Sequence, residues 1–577
     1  MSLTSIQTMA TSALLTAQYQ MAVASANIAD ASTTGATQKT YTPTSSVSLT
    51  SALTTGEVTR ITDAYLSKTV NVSAGANAAS STVNTYLQSY DSALGSLSNS
   101  DDVSSLLTSF QDALSTLAGS PSSSSDQSAV VSDASGLATS ISSLSSTIQS
   151  LRTQASTDIG TTVAAINTDL KTLQSLNTQI AAADNAGTDA TGLEDQRDTT
   201  LTDLSSKIGV QYYTTASNQL VVYDQGGDQL LGGQAATLSY AGAGQLSADT
   251  TYPASIPGVM VNGTDITSAV TTGALGGLIQ LRDDTLVSQQ DQLDQLAGGL
   301  ITSANAAANA GTAYPPPSSL TSDAAVSSSD AFSATGSVRI AVTSSSGTVV
   351  STTDLDLSSY STVSDLLSGL NSISGISASI SSSGKLVIAA ADSSDGVAIN
   401  GMTSSVGASD QSFSSYFGFN DLFTGDSAAT IAVSASLSAD AATLPTATLS
   451  DSATLAAGDT GVSASDASAV TALSEALTAS QTLGASGSAA AKTTTLASAA
   501  SDFVSQAASV IANASTAATN NDSTYSAAQN ALSNTTGVSV DQQTALLTQY
   551  QNQYEAITQL MTAAKSMYAT LITMMEG

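Results

Sequence analysis

Apolar and polar positions alternate with a helical period at both ends of the chain and with a strand period in its middle. Over residues 538–577, Val540, Leu547, Tyr554, Met561, Tyr568 and Met575 fall seven apart, with Tyr550, Ile557, Ala564 and Leu571 between them. These are the two rows of a heptad stripe. Asp541 is the expected cap, and no Pro or Gly interrupts the run before Gly577, so one long helix is predicted. Alone, it would leave an apolar seam in water. Residues 2–28 carry a complementary stripe at spacings of three and four: Leu3, Ile6, Ala10, Ala13, Leu14, Ala17, Met21, Ala24 and Ile28. Small Ala against bulky Leu, Tyr and Met predicts a close pairing of the chain's two ends. Any helical bundle carries such stripes; their place at opposite ends of the chain singles these out.

Between the ends, the Thr/Ser-rich residues 36–62 read as an extended linker or short strand. Helical spacing resumes near Asn77 with Val83, Tyr86, Leu87, Tyr90, Leu94 and Leu97. It returns over 103–117 and stops at Gly119-Ser120-Pro121. The longest element follows. Val130, Ala134, Leu137, Ile141, Leu144, Ile148, Leu151 and Ala155 keep heptad spacing, and Ile159 to Ile180 continue it after one extra step of four. That stutter unwinds a supercoil locally, and Gly160 within it marks a place for a bend. Residues 126–183 would form a rod of roughly 85 Å.

Alternation of period two takes over at 211–215, 219–223 and 259–261, with glycine-rich turns between. Tyr314-Pro315-Pro316-Pro317 reads as a stiff linker. Beyond it, 337–342, 347–350, 376–380 and 385–389 read as strands and 363–370 as a short helix. The aromatic run 416–423 reads as a hydrophobic plug in preference to a binding patch. Ala-rich helices return from Asp466.

The fold class is therefore α+β and multidomain: paired terminal helices, a long-helix bundle and β-rich outer domains inserted mid-chain. The expected division is 1–40 with 536–577 as a terminal coiled coil; 41–208, 273–312 and 465–535 as the bundle; 209–272 with 401–464 as a β-rich outer domain; and 313–400 as an inserted β-rich module.

Charge narrows the function. Only 10% of residues are charged and the net charge is −33, from 12 basic and 45 acidic side chains. Nucleic acid is excluded as a partner. No apolar run is long enough to insert in a membrane. The first basic residue is Lys39, so a cleaved secretory signal is not expected. With no His and no Cys, a Ser-His-Asp triad, a Cys nucleophile and a His-ligated zinc are impossible. There is no phosphate-binding loop, and the Asp392–Asp395 turn lacks the spaced carboxylates of a calcium loop. No catalytic, cofactor or metal residue is assigned, and the chain reads as no enzyme.

Several stretches resemble one family. Asn27-Ile28-Ala29-Asp30, then Thr34-Gly35, is similar to the Asn-Ile-Ala-Asn…Thr-Pro-Gly-Tyr motif that closes the first helix of flagellar rod, hook and hook-associated proteins. The run from Leu547 through Tyr550 and Tyr554 to Leu571-Ile572 resembles their terminal helix. Thr34 and Ala36 stand where the family has Pro and Tyr, which predicts a looser turn. Gly192-Leu193-Glu194-Asp195-Gln196-Arg197-Asp198 resembles a helix of the family's hook–filament junction member. Physically, Arg197 is expected to reach Glu194 one turn back, a pair worth roughly a few tenths of a kcal/mol. Residues 272–283, with Gly276, Gly277 and Leu278, resemble the segment re-entering the helical domain. Residues 337–389 resemble a small β-rich module inserted in hook-associated proteins and flagellins.

The resemblance implies a structural subunit of the bacterial flagellum at the junction of hook and filament. It is implied to be extracellular, exported without a cleaved signal, with an export chaperone on its C-terminal helix. Its implied partners are the hook protein, a second junction protein and copies of itself in a ring. Assembly would run through Leu3, Ile6, Leu14, Met21, Ile28, Leu547, Tyr550, Tyr554, Ile557, Met561, Tyr568 and Leu571. Two alternatives stand: a flagellin or other filament subunit, and a Ser/Thr-rich surface adhesin. Against the first, the N-terminal helices contain no Ser-Gly-Leu-Arg-Ile-like stretch; against the second, tandem repeats are absent.

Overall fold

The computed structural model describes residues 3–43, 56–95 and 100–576, with the backbone alone for Leu3, Thr4 and Glu576. Leu97, much of the expected linker and the Leu3 side chain lie outside the described residues.

The two ends form long helices, α1 (Leu3–Asp30) and, last in the chain, α13 (Val540–Glu576). They pack antiparallel: Asn27, near the end of α1, bonds Gln543 in the first turn of α13. Asp541 lies inside that first turn, and the Ser539 hydroxyl accepts from the Gln542 N–H in its place. The expected linker holds a hairpin, β1 (Lys39–Pro43) with β2 (Gly56–Arg60), in register from Lys39↔Arg60 to Pro43↔Gly56.

Helix α2 (Ala64–Leu94) begins earlier than the spacing predicts. Asp63 caps it, accepting from the Tyr65 and Leu66 N–H groups at 3.0 and 2.9 Å. Its first turns bury Asn71, Ser73, Ala74 and Gly75, residues too small or polar to make a hydrophobic stripe. Then come α3 (Val103–Gly119), α4 (Ser124–Ala186) and α5 (Thr191–Lys207). At 63 residues, α4 is roughly 95 Å long. Its stutter coincides with a change of core. Up to Ile148 it packs in a cluster with α2, α3, α7 (Leu286–Ala308), α11 (Ser468–Thr478) and α12 (Leu496–Thr536). From Ala155 it packs in a second cluster, with α5 and two small sheets.

Those sheets are β3 (Val210–Thr214), β4 (Leu220–Asp224) and β5 (Gln229–Leu231), and then β6 (Leu238–Ser239), β7 (Met260–Val261) and β8 (Thr264–Asp265). Helix α6 (Gly273–Gln280) leads through a π turn at Leu281–Thr285 into α7. Between the two cores sit two fully buried arginines. Arg152 donates to the carbonyls of Arg282, Ser247 and Thr250, while Arg282 pairs with Asp283 and lies against the Tyr240 and Tyr252 rings.

A third cluster fills the strand-rich module: β9 (Ser319–Ala325), β10 (Ala334–Thr335), β11 (Ser337–Ser344), β12 (Val349–Asp356), α8 (Val363–Leu370), β13 (Ile376–Ile380), β14 (Lys385–Ala390), β15 (Asp395–Asn400), β16 (Ser405–Val406) and α9 (Phe413–Phe417). Its main sheets run β12-β11-β15 and β13-β14-β9, all antiparallel. Val406, Phe413, Phe417 and Phe419 belong to this core and not to that of residues 209–272, which departs from the expected division. The aromatic run is split: Phe417 and Phe419 fill the module, while Leu422 and Phe423 enter the helical core. The short β17 (Phe423–Thr424), β18 (Ala432–Val433) and α10 (Ala435–Ala439) lead back to the bundle, and β19 (Gln481–Leu483) with β20 (Lys492–Thr494) forms a hairpin over α7.

Where chain crosses between helices and strands, asparagine amides make the joint. Asn27, Asn167, Asn177, Asn305 and Asn371 each donate to the carbonyl and accept from the N–H of one residue: Lys39, Leu238, Leu220, Phe423 and Ala378 respectively. Each amide stands in for a neighbouring strand.

At the joint between module and bundle, Asp421 accepts from Asn309 at the end of α7. Burial, with a further contribution from Asp323, pushes its carboxyl up to about 6, against the lowering hydrogen bond from Asn309. Asp323 is itself paired with Lys385. A raised carboxyl pKa favours the folded state at low pH, so stability is expected to fall as pH rises from about 4 to about 6. Asp421→Asn should flatten this step and raise stability at pH 7.5 by up to about 2 kcal/mol, discounted for partial exposure. Chemical denaturation at pH 4.5 and 7.5 measures it; an unchanged step would assign the dependence to other groups.

Candidate assembly site

Of the residues the sequence singles out, Asn27 and the Asp195–Asp198 turn of α5 meet where the terminal pair joins the helical body. The acidic face of α5 receives the base of the hairpin. Both oxygens of Asp195, itself 7% exposed, are occupied. They accept from the Thr37 hydroxyl at 2.6 Å and the Thr37 N–H at 3.3 Å, and pair with Lys39 Nζ and Arg60 Nη1, each at 3.1 Å. Arg60 also reaches Glu194 at 2.9 Å and Asp198 at 2.6 Å. Burial works against the Arg60 charge, but Asp198, Glu194 and Asp195 outweigh it and hold the guanidinium above its ordinary value. Lys39 and Arg60 are cross-strand partners, so two cations that would repel are held side by side by three carboxylates.

Arg197 does not pair with Glu194 as the spacing suggests. It is buried and donates to the Asn218 carbonyl at 2.7 Å and to Asn218 Oδ1 at 3.2 Å, while Glu194 is taken by Arg60 and by the Asn218 amide. A buried guanidinium is better satisfied by a fixed carbonyl than by a carboxylate already engaged. Gln196 is exposed.

Asn27 completes the joint. Its amide clasps Lys39 and bonds Gln543, so one side chain ties α1, β1 and α13 together. Gln38 N–H donates to the Thr536 carbonyl at the end of α12. The turn after α1 is held and not loose: Thr33 N–H bonds Asp30, Ala36 N–H bonds Thr33, and Gly35, at φ +80°, packs on Thr199 with no room for a Cβ.

Along the pair, Ala10, Ala17 and Ala24 are buried seven apart, with Ala564 opposite them on α13. Ile6, Leu14, Met21, Ile28, Leu547, Tyr550, Tyr554, Ile557 and Met561 are half-buried. Tyr568 and Leu571 are 54% and 51% exposed. The small residues thus make the seam, and the bulky ones flank it with much of their surface outward.

The second motif is a close-packing device. A Cβ on Gly277 would lie 2.6 Å from the Ala79 carbonyl oxygen of α2, and one on Gly276 2.6 Å from the Thr271 backbone; Leu278 is buried beside them. Gly277→Ala is therefore expected to push α6 off α2 and cost roughly 1–3 kcal/mol. Gly136→Ala, in open space on α4, should be neutral or stabilising by up to about 1 kcal/mol. Thermal melts separate the two; equal shifts would refute the close-approach reading.

What sequence reasoning missed is the basic side of the joint. Lys39, Arg60 and Thr37 lie 135 to 158 residues from Asp195. Their only signal is rarity, as two of 12 cations in one Thr-rich stretch. Among the described residues, no group of three His, Cys, Asp or Glu could hold a metal, and no helix is long and apolar enough to cross a membrane.

A chain whose ends pair with each other and dock on a helical body bearing strand-rich insertions is built as a structural assembly subunit. Residues 87–315 match the family model described as the flagellar hook-associated protein FlgK helical domain. Among solved structures, the chain is similar to the flagellar hook junction protein FlgK from Burkholderia pseudomallei, with a TM-score of 0.51 at 16% identity, over 80% of this chain and 98% of that one. At that identity the likeness speaks for the fold. No curated protein matches the chain. The family match is thus to the helical domain of the flagellar hook-associated protein FlgK, over residues 87–315 of this chain.

Proposed function

We infer that this chain is a structural subunit of the bacterial flagellum, set at the junction of hook and filament, and not an enzyme. The observation that carries the reading is the antiparallel pairing of the chain's two ends with large apolar side chains left outward. Met9, Tyr19, Leu560, Met567, Tyr568 and Leu571 are each more than half exposed. Such a surface is stable in water only when other helices cover it. Copies of the same chain in a ring, with the hook protein below and a second junction protein beyond, would supply those helices. Labelling the protein on isolated flagella tests this: a band at the hook–filament boundary is expected, and label along the whole filament or none would overturn it.

Passage through the flagellar export channel without a cleaved signal, with a chaperone on α13, follows from the same reading. Replacing Leu547, Ile557 and Leu571 by Asp should weaken chaperone capture in a pull-down; undiminished capture would move the chaperone site elsewhere.

A further inference from the structure

Seventeen large apolar side chains are exposed among the described residues, eleven of them on the two terminal helices. Of the other six, three fall within twelve residues just past the hairpin: Ile61 at 36%, Tyr65 at 78% and Val72 at 62% exposure. Tyr65, Lys68 and Val72 share the outer face of α2, at i, i+3 and i+7, opposite the buried Val70, Asn71 and Ala74. Ile61 leads into that face, its N–H bonded to Gln38 at the foot of the hairpin. The patch therefore adjoins the joint of terminal pair and body, and none of the four side chains is covered by the fold.

Charge says what covers it. From Val58 to Tyr90 the single carboxylate is Asp63, and it is spent on capping α2. The chain as a whole carries 45 acids in 577 residues. Lys68 is exposed and has no ion-pair partner among the described residues, whereas the hairpin's cations Lys39 and Arg60 are both engaged inward. On a molecule of net charge −33, this apolar face offers a cation with no ion-pair partner among the described residues, and the α5 carboxylates beside it are engaged by Arg60 and Lys39. Two copies repel over most of their surfaces, and approach costs least here, where Lys68 meets a partner rich in carboxylates.

We propose that Ile61, Tyr65, Lys68 and Val72 form the face on which a second copy of this chain docks beside the helical body. The proposal rests on the functional reading above and adds a specific contact to it, outside the terminal helices. The contact is heterologous: this face of one copy meets a different, acidic face of the next, which is how a ring closes.

The test places the photoreactive p-benzoyl-phenylalanine at position 65 of the full chain and irradiates isolated flagella. An adduct of two copies, its cross-linked peptide mapped by mass spectrometry to this same chain, is expected. An adduct with a different axial protein, or none although labelling finds the chain on the flagella, overturns the proposal. A chain absent from flagella before irradiation brings down the functional reading, and this surface with it. A second variant, Lys68→Glu with Val72→Ser, changes only exposed positions. It should keep the wild-type circular dichroism and melting curve while incorporation falls roughly ten-fold; undiminished incorporation counts against the surface.

Discussion

Removing residues 540–577 is expected to leave a folded protein that no longer enters flagella. None of the hydrophobic clusters contains a residue of α1 or α13. What α13 buries is its seam with α1, at Gln543 and Ala564 among the described side chains. Deleting it therefore takes nothing from the bundle, the small sheets or the strand-rich module, and their cooperative melting should survive. What it removes is the outward apolar surface through which copies would associate, and with it the partner that keeps α1 helical. Circular dichroism of the truncated chain and its amount on sheared flagella measure the two halves of the prediction. A fully motile deletion strain would sink it.

Asp195→Ala is expected to undock the terminal pair without unfolding it. The substitution strips Thr37 of its acceptor and Lys39 of its shorter ion pair, and leaves Arg60 to Glu194 and Asp198 alone. Removing one member of a largely buried ion network costs about 3 kcal/mol. If that cost falls on local opening, amide exchange over residues 27–43 should rise on the order of a hundred-fold while α4 stays protected. Asp195→Asn keeps an acceptor for Thr37 and should fall between. Unchanged exchange at 27–43 would place the source of docking elsewhere, with Asn27 as the next candidate.

These two sites show how far the sequence reaches. The terminal stripes are legible because a heptad row of bulky residues marks a helix face that calls for a partner helix. Which of them are buried is not legible: the alanines at 10, 17 and 24 close the seam, and the larger residues flank it. The stutter after Ala155 is visible as a step of four, and its meaning emerges once the two cores are seen to meet there. The start of α2 is hidden because its buried face is Asn, Ser, Ala and Gly, which pack tightly but leave no hydrophobic period. At the joint, the acidic helix stands out while its partners do not. Arg197, read from spacing, is assigned to the wrong neighbour because a buried cation seeks the nearest fixed carbonyl, and that carbonyl lies across a strand turn. Asn27 apart, which a family motif singles out, the asparagine clasps leave no trace, since each depends on a single residue in another element.

Helix α4 belongs to two cores, with no loop between Ile148 and Ala155. A hinge needs a few residues whose backbone torsions can change cheaply, and a hydrogen-bonded helix with Arg152 pinned at its middle offers none. Twisting one half of the body against the other would strain every turn of that helix at once. The bundle and the small sheets therefore respond to torque as one stiff strut. At the junction proposed above, such an element in each subunit would pass rotation delivered at one face to the other without loss in bending.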